Sequence, residues 1–257
     1  MKLICSIGTF VILLFAANAI CAQDFVTKGK ISFEKKDNLR KQLMRANSPI
    51  PDGMEMPESL ISFYEFTFSD NRALYKAGKE RPRFSEVQED QTISFANNSN
   101  IIYSHYGKGS RVVKKHIINE AFIQEDSIPP VQWKIGQETR IIAGYNCRKA
   151  VGRIYDTLYV VAFYAEELVI KGGPEGFSGL PGMILQLAIP RMNSIWTATK
   201  IELAEVDESE IVPPAIKGKP QTKEEQINKL KKLAKDQGIS DPETFVKAVL
   251  NSAKYFL

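Results

Sequence analysis

The sequence predicts a mainly β protein of the α+β class. The expected architecture is a curved antiparallel sheet, half-barrel or sandwich-like, with a C-terminal helical extension. Three observations carry this. Short runs of β-branched and aromatic residues recur about every ten residues, separated by turn signals. A helical period is sustained only after residue 220. Strands and helices do not alternate, which excludes a doubly wound parallel fold.

Taken in order, Val26–Glu34 alternates loosely and reads as a first strand. Residues 36–46 read as a short helix, ended by Pro51 and Pro57. Leu60–Phe68 is the clearest strand of the first half, and Ser69-Asp70-Asn71-Arg72 turns it back into Ala73–Lys76. Residues 77–91 are polar and read as a surface loop. Ile101–Tyr103 and Arg111–Ile118 make a hairpin across Gly107–Ser110, followed by Ala121–Ile123. Val131–Ile135 and Thr139–Tyr145 read as two strands. Lys149–Tyr155 pairs with Leu158–Ala165 across Asp156-Thr157, and Met183–Ala188 pairs with Ser194–Ile201 across Pro190–Asn193.

The chain divides into a signal peptide over 1–23, a β domain over 24–204, and a linker with a two-helix tail over 205–257. Lys2, an apolar run from Ile7 to Ile20 and a small-residue ending before Asp24 are the features of an export signal. The run is shorter than the roughly 20 residues of a spanning helix. A lipidated Cys21 would want a small residue before it, and Ile20 is large, so cleavage after Gln23 is the better reading. In the tail, Thr222 with Glu225 forms a capping box for a helix running to Gln237, with Gly238 closing it. Ser240-Asp241-Pro242-Glu243 opens a second helix to about Ala253. This amphipathic pair packs on the sheet or docks on a partner.

Lys and Arg number 34 against 30 Asp and Glu. With no arginine-rich or aromatic-basic motif, nothing points to nucleic acid. Cleavage would leave Cys147 as the one thiol, so no internal disulfide is expected and stability rests on the core.

Residues 172–182 hold five glycines and two prolines, Pro174 and Pro181, in eleven positions. Apolar residues sit among them, so the stretch reads as a tightly specified loop that packs on the core and feeds a strand at Met183. Ser178-Gly179-Leu180-Pro181-Gly182-Met183-Ile184 resembles the signature of the GLPGLI family of exported Bacteroidetes proteins, with Met183 where that family usually has Leu. Gly144-Tyr145-Asn146-Cys147-Arg148-Lys149-Ala150 resembles its Gly-Tyr-x-Cys-x-Lys-Ala element. The resemblance implies an envelope location, in the periplasm or at the outer membrane. It also implies a TonB-dependent outer-membrane transporter as partner, and it assigns no reaction.

Several residues were weighed for chemistry. Cys147 is either a buried hydrophobe or a reactive thiol; its neighbour Arg148 points to the opposite face of a strand. His105 and His116 flank one hairpin turn but form only half a metal site, so no metal and no other cofactor is expected. Ser178 has its preceding glycine one residue out of the nucleophile-elbow position, and a strand rather than a helix follows. The loop lacks the Gly-Lys-Ser/Thr ending of a phosphate-binding loop. Phe177, Leu180 and Pro181 could serve as docking anchors. Given the resemblance, Ser127 and Thr157, in Asp-Ser-Ile and Asp-Thr-Leu, match an O-glycosylation pattern of that bacterial group.

The expected function is therefore a non-enzymatic binding or accessory subunit of an envelope complex, not an integral membrane protein. One alternative is a carrier of lipid or lipopeptide on a concave apolar face. Another is an envelope hydrolase using Cys147 or Ser178 with one of the histidines.

Overall fold

The computed structural model describes residues 27–45, 57–85, 100–117, 120–154, 158–215 and 223–246. The residues of the expected export signal lie outside them. Twelve strands form one antiparallel sheet: β1 (Lys28–Asn38), β2 (Ser59–Ser69), β3 (Arg72–Ala77), β4 (Arg83–Phe84), β5 (Ile101–His105), β6 (Ser110–Ile117), β7 (Glu120–Ser127), β8 (Gln132–Ile142), β9 (Tyr145–Ile154), β10 (Leu158–Ala165), β11 (Met183–Ile189) and β12 (Ser194–Glu202). The spatial order is β7-β6-β5-β3-β2-β1-β12-β11-β10-β9-β8, with β4 pairing the start of β2. Each half is a meander of sequential neighbours, and the halves meet along β1 and β12.

The two edge strands, β7 and β8, are consecutive in sequence. Eleven strands laid flat at about 4.8 Å would put the edges roughly 48 Å apart. The 128–131 connection reaches at most about 18 Å. The sheet must therefore curl strongly, bringing its edges toward each other at that end.

One face of the sheet carries the core. Ile31, Phe66, Tyr75, Ile102 and Val113 are successive cross-strand neighbours and are all buried. Trp196, Leu187, Ala162 and Ala150 make the matching row in the other half. Alternation along each strand puts these side chains on a common face because successive residues point to opposite sides.

Local differences from the sequence reading have physical causes. The strands expected at 131–135 and 139–145 are one strand, β8, whose register shifts between Ile135 and Thr139. The real turn is Ala143-Gly144, both at positive φ (48° and 86°), the geometry of a two-residue hairpin whose twist matches its strands. β1 runs on to Asn38, whose side chain accepts from Lys41 N at 2.8 Å and so caps the short helix α1 (Leu39–Arg45). The stretch read as loop over 77–91 includes β4.

In the tail, α2 spans Lys223–Asp236, and Gly238 follows at φ +72° with its N–H bonded to Lys235 O. Residues 242–246 are helical, and Asp241 accepts from Thr244 N. Leu230 and Val246 bury against each other, with Ile227 and Phe245 alongside. The remainder of the expected second helix lies outside the described residues. No helix among the described residues is long and apolar enough to cross a membrane.

Candidate functional site

The glycine-rich loop leaves β10 and returns to β11 across the core face. Ile184 N bonds Gly172 O at 2.8 Å, and Met183 N bonds Leu168 O at 3.1 Å. A Cβ on Gly182 would lie 2.1 Å from Ala165 O, and one on Gly172 would lie 2.4 Å from the Tyr106 hydroxyl. Glycine is required here by close backbone approach. At the far side of the loop, the Trp133 indole N–H donates to Ser178 O at 2.9 Å.

Phe177 and Leu180 are buried, so they fasten the loop to its own sheet rather than offering docking anchors; only Pro181 of the three is exposed. The loop also covers the apolar face on which a lipid would have to lie. Its Gly172 presses on Phe66 and its Gly176 on Ile102.

At the loop's centre is a residue that the sequence reading passed over. Glu175 is buried at φ 55°, inside the turn Pro174–Gly176. Its Oε1 accepts from the Tyr75 hydroxyl at 3.4 Å, and Tyr75 stacks on Tyr64 with centroids 5.0 Å apart. Around it, Lys35 pairs with Asp37 at 3.0 Å and lies 4.9 Å over the Trp196 ring. The Ser194 hydroxyl donates to Asp37 at 2.5 Å. Burial pushes the Glu175 carboxyl above its usual range, against the pull of Lys35. Burial likewise pushes both tyrosine hydroxyls up, with the Glu175 charge adding to it. The available signal was an acidic residue set between proline and glycine in an apolar-anchored loop. These side chains belong to β1, β2, β3 and β12, which only the β1–β12 pairing brings together.

The other expected site residues do not assemble. Cys147 is fully buried, its thiol donates to Tyr145 O at 3.5 Å, and burial pushes its pKa up to about 11. That is the state of an inert thiol. Its neighbour Arg148 points instead to Gly136 O and Glu166. Ser178 is half-buried, with its carbonyl taken by Trp133. His105 faces Arg72 and Ser110 across its strand neighbours, and His116 is in register with Ala121. Among the described residues no group of His, Cys, Asp and Glu is arranged to hold a metal ion. Ser127 is exposed, and its N–H bonds Asp126 at 2.8 Å; Thr157 lies outside the described residues.

A groove of about 400 Å³ opens over the meeting of β1, β2 and β12, lined by Ser32, Glu34, Phe63, Glu65, Lys79 and Thr199 among others. Its shape has two local causes. The β1–β12 register shifts between Ser32 and Phe33, which leaves Thr199 as the extra residue, its hydroxyl bonded to Ser32 O at 3.2 Å. Such a bulge re-aims side chains. The chain after β3 then folds back, Gly78 N bonding Phe63 O at 2.8 Å, and sets Lys79 at the rim. The Arg83 guanidinium lies 5.6 Å from the Phe63 ring centre.

A curled antiparallel sheet with a committed interior and an open polar groove defines a β protein whose accessible chemistry is that of binding. The chain belongs to the family described as "N-glycanase peptide, N-terminal domain", whose model matches residues 80–234. Two crystal forms of PNGF-II are similar at 17% identity. The C2 form has a TM-score of 0.42 and covers 72% of this chain and 29% of its own; the P21 form has 0.43, 73% and 30%. The chain thus spans about three tenths of the length of those structures. No curated protein matches it.

Proposed function

We propose that this chain is an exported, non-enzymatic binding module serving an envelope assembly, with an outer-membrane transporter of the TonB-dependent type as its partner. The observation that carries the binding role is the groove over β1, β2 and β12: it is the open concave site whose polar side chains remain available. The family's description, as an N-terminal domain of an N-glycanase peptide, fits a module that works beside another component. The partner and the location rest on the likeness of the 144–150 and 179–184 elements to exported GLPGLI proteins. In this reading the curled sheet is a half-barrel plugged by its own loop, and the C-terminal residues form a helical extension.

The two alternatives are weaker. A thiol hydrolase would need Cys147 exposed and ionised, and it is neither. A lipid carrier would need the face that Phe177 and Leu180 occupy.

Affinity purification of a C-terminally tagged chain from gently solubilised native envelope tests the proposal. Stoichiometric recovery of an outer-membrane transporter is the expected result. Recovery of the chain alone overturns the subunit role.

A further inference from the structure

The groove's composition says what it would bind. Glu34 has no ion pair or hydrogen bond among the described residues, although it lies in the groove wall. Glu65 on the same face is shared between Lys30 at 4.0 Å and Lys76 at 3.8 Å. Lys79 and Glu80 at the rim are exposed, one of each sign. The ring of Phe63 is half-buried in the wall, and hydroxyls come from Ser32 and Thr199.

A strongly anionic ligand would meet Glu34, Glu65 and Glu80. A strongly cationic one would meet Lys79 and the lysines already held by Glu65. A neutral polyhydroxylated ring satisfies both. Its hydroxyls donate to carboxylates and accept from an ammonium, and charge-assisted hydrogen bonds of this kind are the stronger ones. Its C–H face lies on an aromatic ring. A pocket of this size, with an apolar wall and a few convergent polar groups, has the make-up of a small-ligand site.

We infer that this groove binds a neutral saccharide, with Glu34 and Lys79 addressing hydroxyls and Phe63 carrying the sugar ring. The inference rests on the binding-module reading and names its ligand class.

The test is titration of the isotope-labelled exported chain with N,N′-diacetylchitobiose and with maltotriose, followed by amide NMR shifts. Tetralysine and tetraglutamate serve as charged controls. Shifts confined to residues 32–34, 63–65, 78–80 and 199 are expected from at least one saccharide. Phe63→Ala and Glu34→Gln should each weaken binding about tenfold, the equivalent of one charge-assisted bond or stacked ring. Glu34 is unpartnered, so Glu34→Gln remains a folded test even if Phe63→Ala does not fold. Absence of shifts with both sugars, shifts elsewhere, full affinity in Glu34→Gln, or groove shifts with a charged peptide alone would overturn the inference. Glu34→Gln that loses saccharide but still co-purifies with a transporter separates the ligand from the partner. Saccharide binding by a chain that purifies alone leaves the ligand standing and removes the partner.

Discussion

Trp133 donates its indole N–H to the carbonyl of Ser178 at 2.9 Å while its ring lies on Gly152, where a Cβ would come within 2.7 Å. One side chain on an edge strand thus holds the far end of the glycine-rich loop. Trp133→Phe keeps most of the ring and removes the donor. It should cost about 1 kcal/mol, the usual net worth of such a bond, read as a lower denaturation midpoint with unchanged m-value. Gly152→Ala should cost as much or more by displacing the ring. The double variant should cost less than the sum, since both act on one contact.

Gly182 is the tightest point of the loop. Gly182→Ala drives a methyl into Ala165 O, backbone against backbone, so no side chain can yield. A loss of more than about 3 kcal/mol is expected, in the range reserved for core overpacking and strain. Gly109→Ala is the control: its φ of +63° carries strain but the space is open, and the cost should stay near 1 kcal/mol. Thermal or chemical unfolding of the two variants side by side decides it. Equal costs would mean that the loop can move away from β10.

Glu175 makes stability depend on pH in an unusual direction. Its carboxyl is raised by burial, so between the ordinary and the raised value the folded state holds more protons than the unfolded. This contribution is complete in acid and is lost as pH rises through the raised value. Glu175→Gln removes it. The variant should gain on the wild type steadily as buffers go from mildly acid to mildly alkaline. A constant difference in melting temperature across that span would show that the Glu175 titration does not contribute.

Glu208 works the other way. Lys28 at 2.9 Å and the Ser69 hydroxyl at 2.9 Å, with Arg72 close by, hold its carboxyl down at about 2. The folded value is below the ordinary one, so its contribution is present above the ordinary carboxylate range and is lost as pH falls toward 2. Glu208→Gln should lower the melting temperature near neutrality, and the gap should close in strong acid. Added salt should narrow the neutral gap, because these groups are exposed and screened.

Strands were legible in the sequence where alternation and turn residues agree. Leu60–Phe68 with its Asp70-Asn71 turn, and Met183–Ala188 with Pro190–Asn193, lie within β2 and β11 and at their turns. The β8–β9 hairpin was misplaced because Gly136 suggests a break, whereas the chain absorbs it in a register shift and turns at Ala143-Gly144. That the glycine-rich loop packs on the core was legible from Phe177 and Leu180. What it packs around was not, because Glu175 meets Tyr75, Lys35 and Trp196 only after distant strands pair. The groove was invisible for the same reason. Ser32, Phe63 and Thr199 come from three strands, and a bulge, which no local pattern announces, opens the space between them.

The chain passes from one edge of the sheet to the other through residues 128–131, and the halves on either side share the β1–β12 seam. A cut in that connection severs no ladder. Two separately made fragments, one ending and one beginning there, therefore carry everything needed to find each other. Their reassembly would give a split reporter in which closing a single strand pair restores the whole molecule.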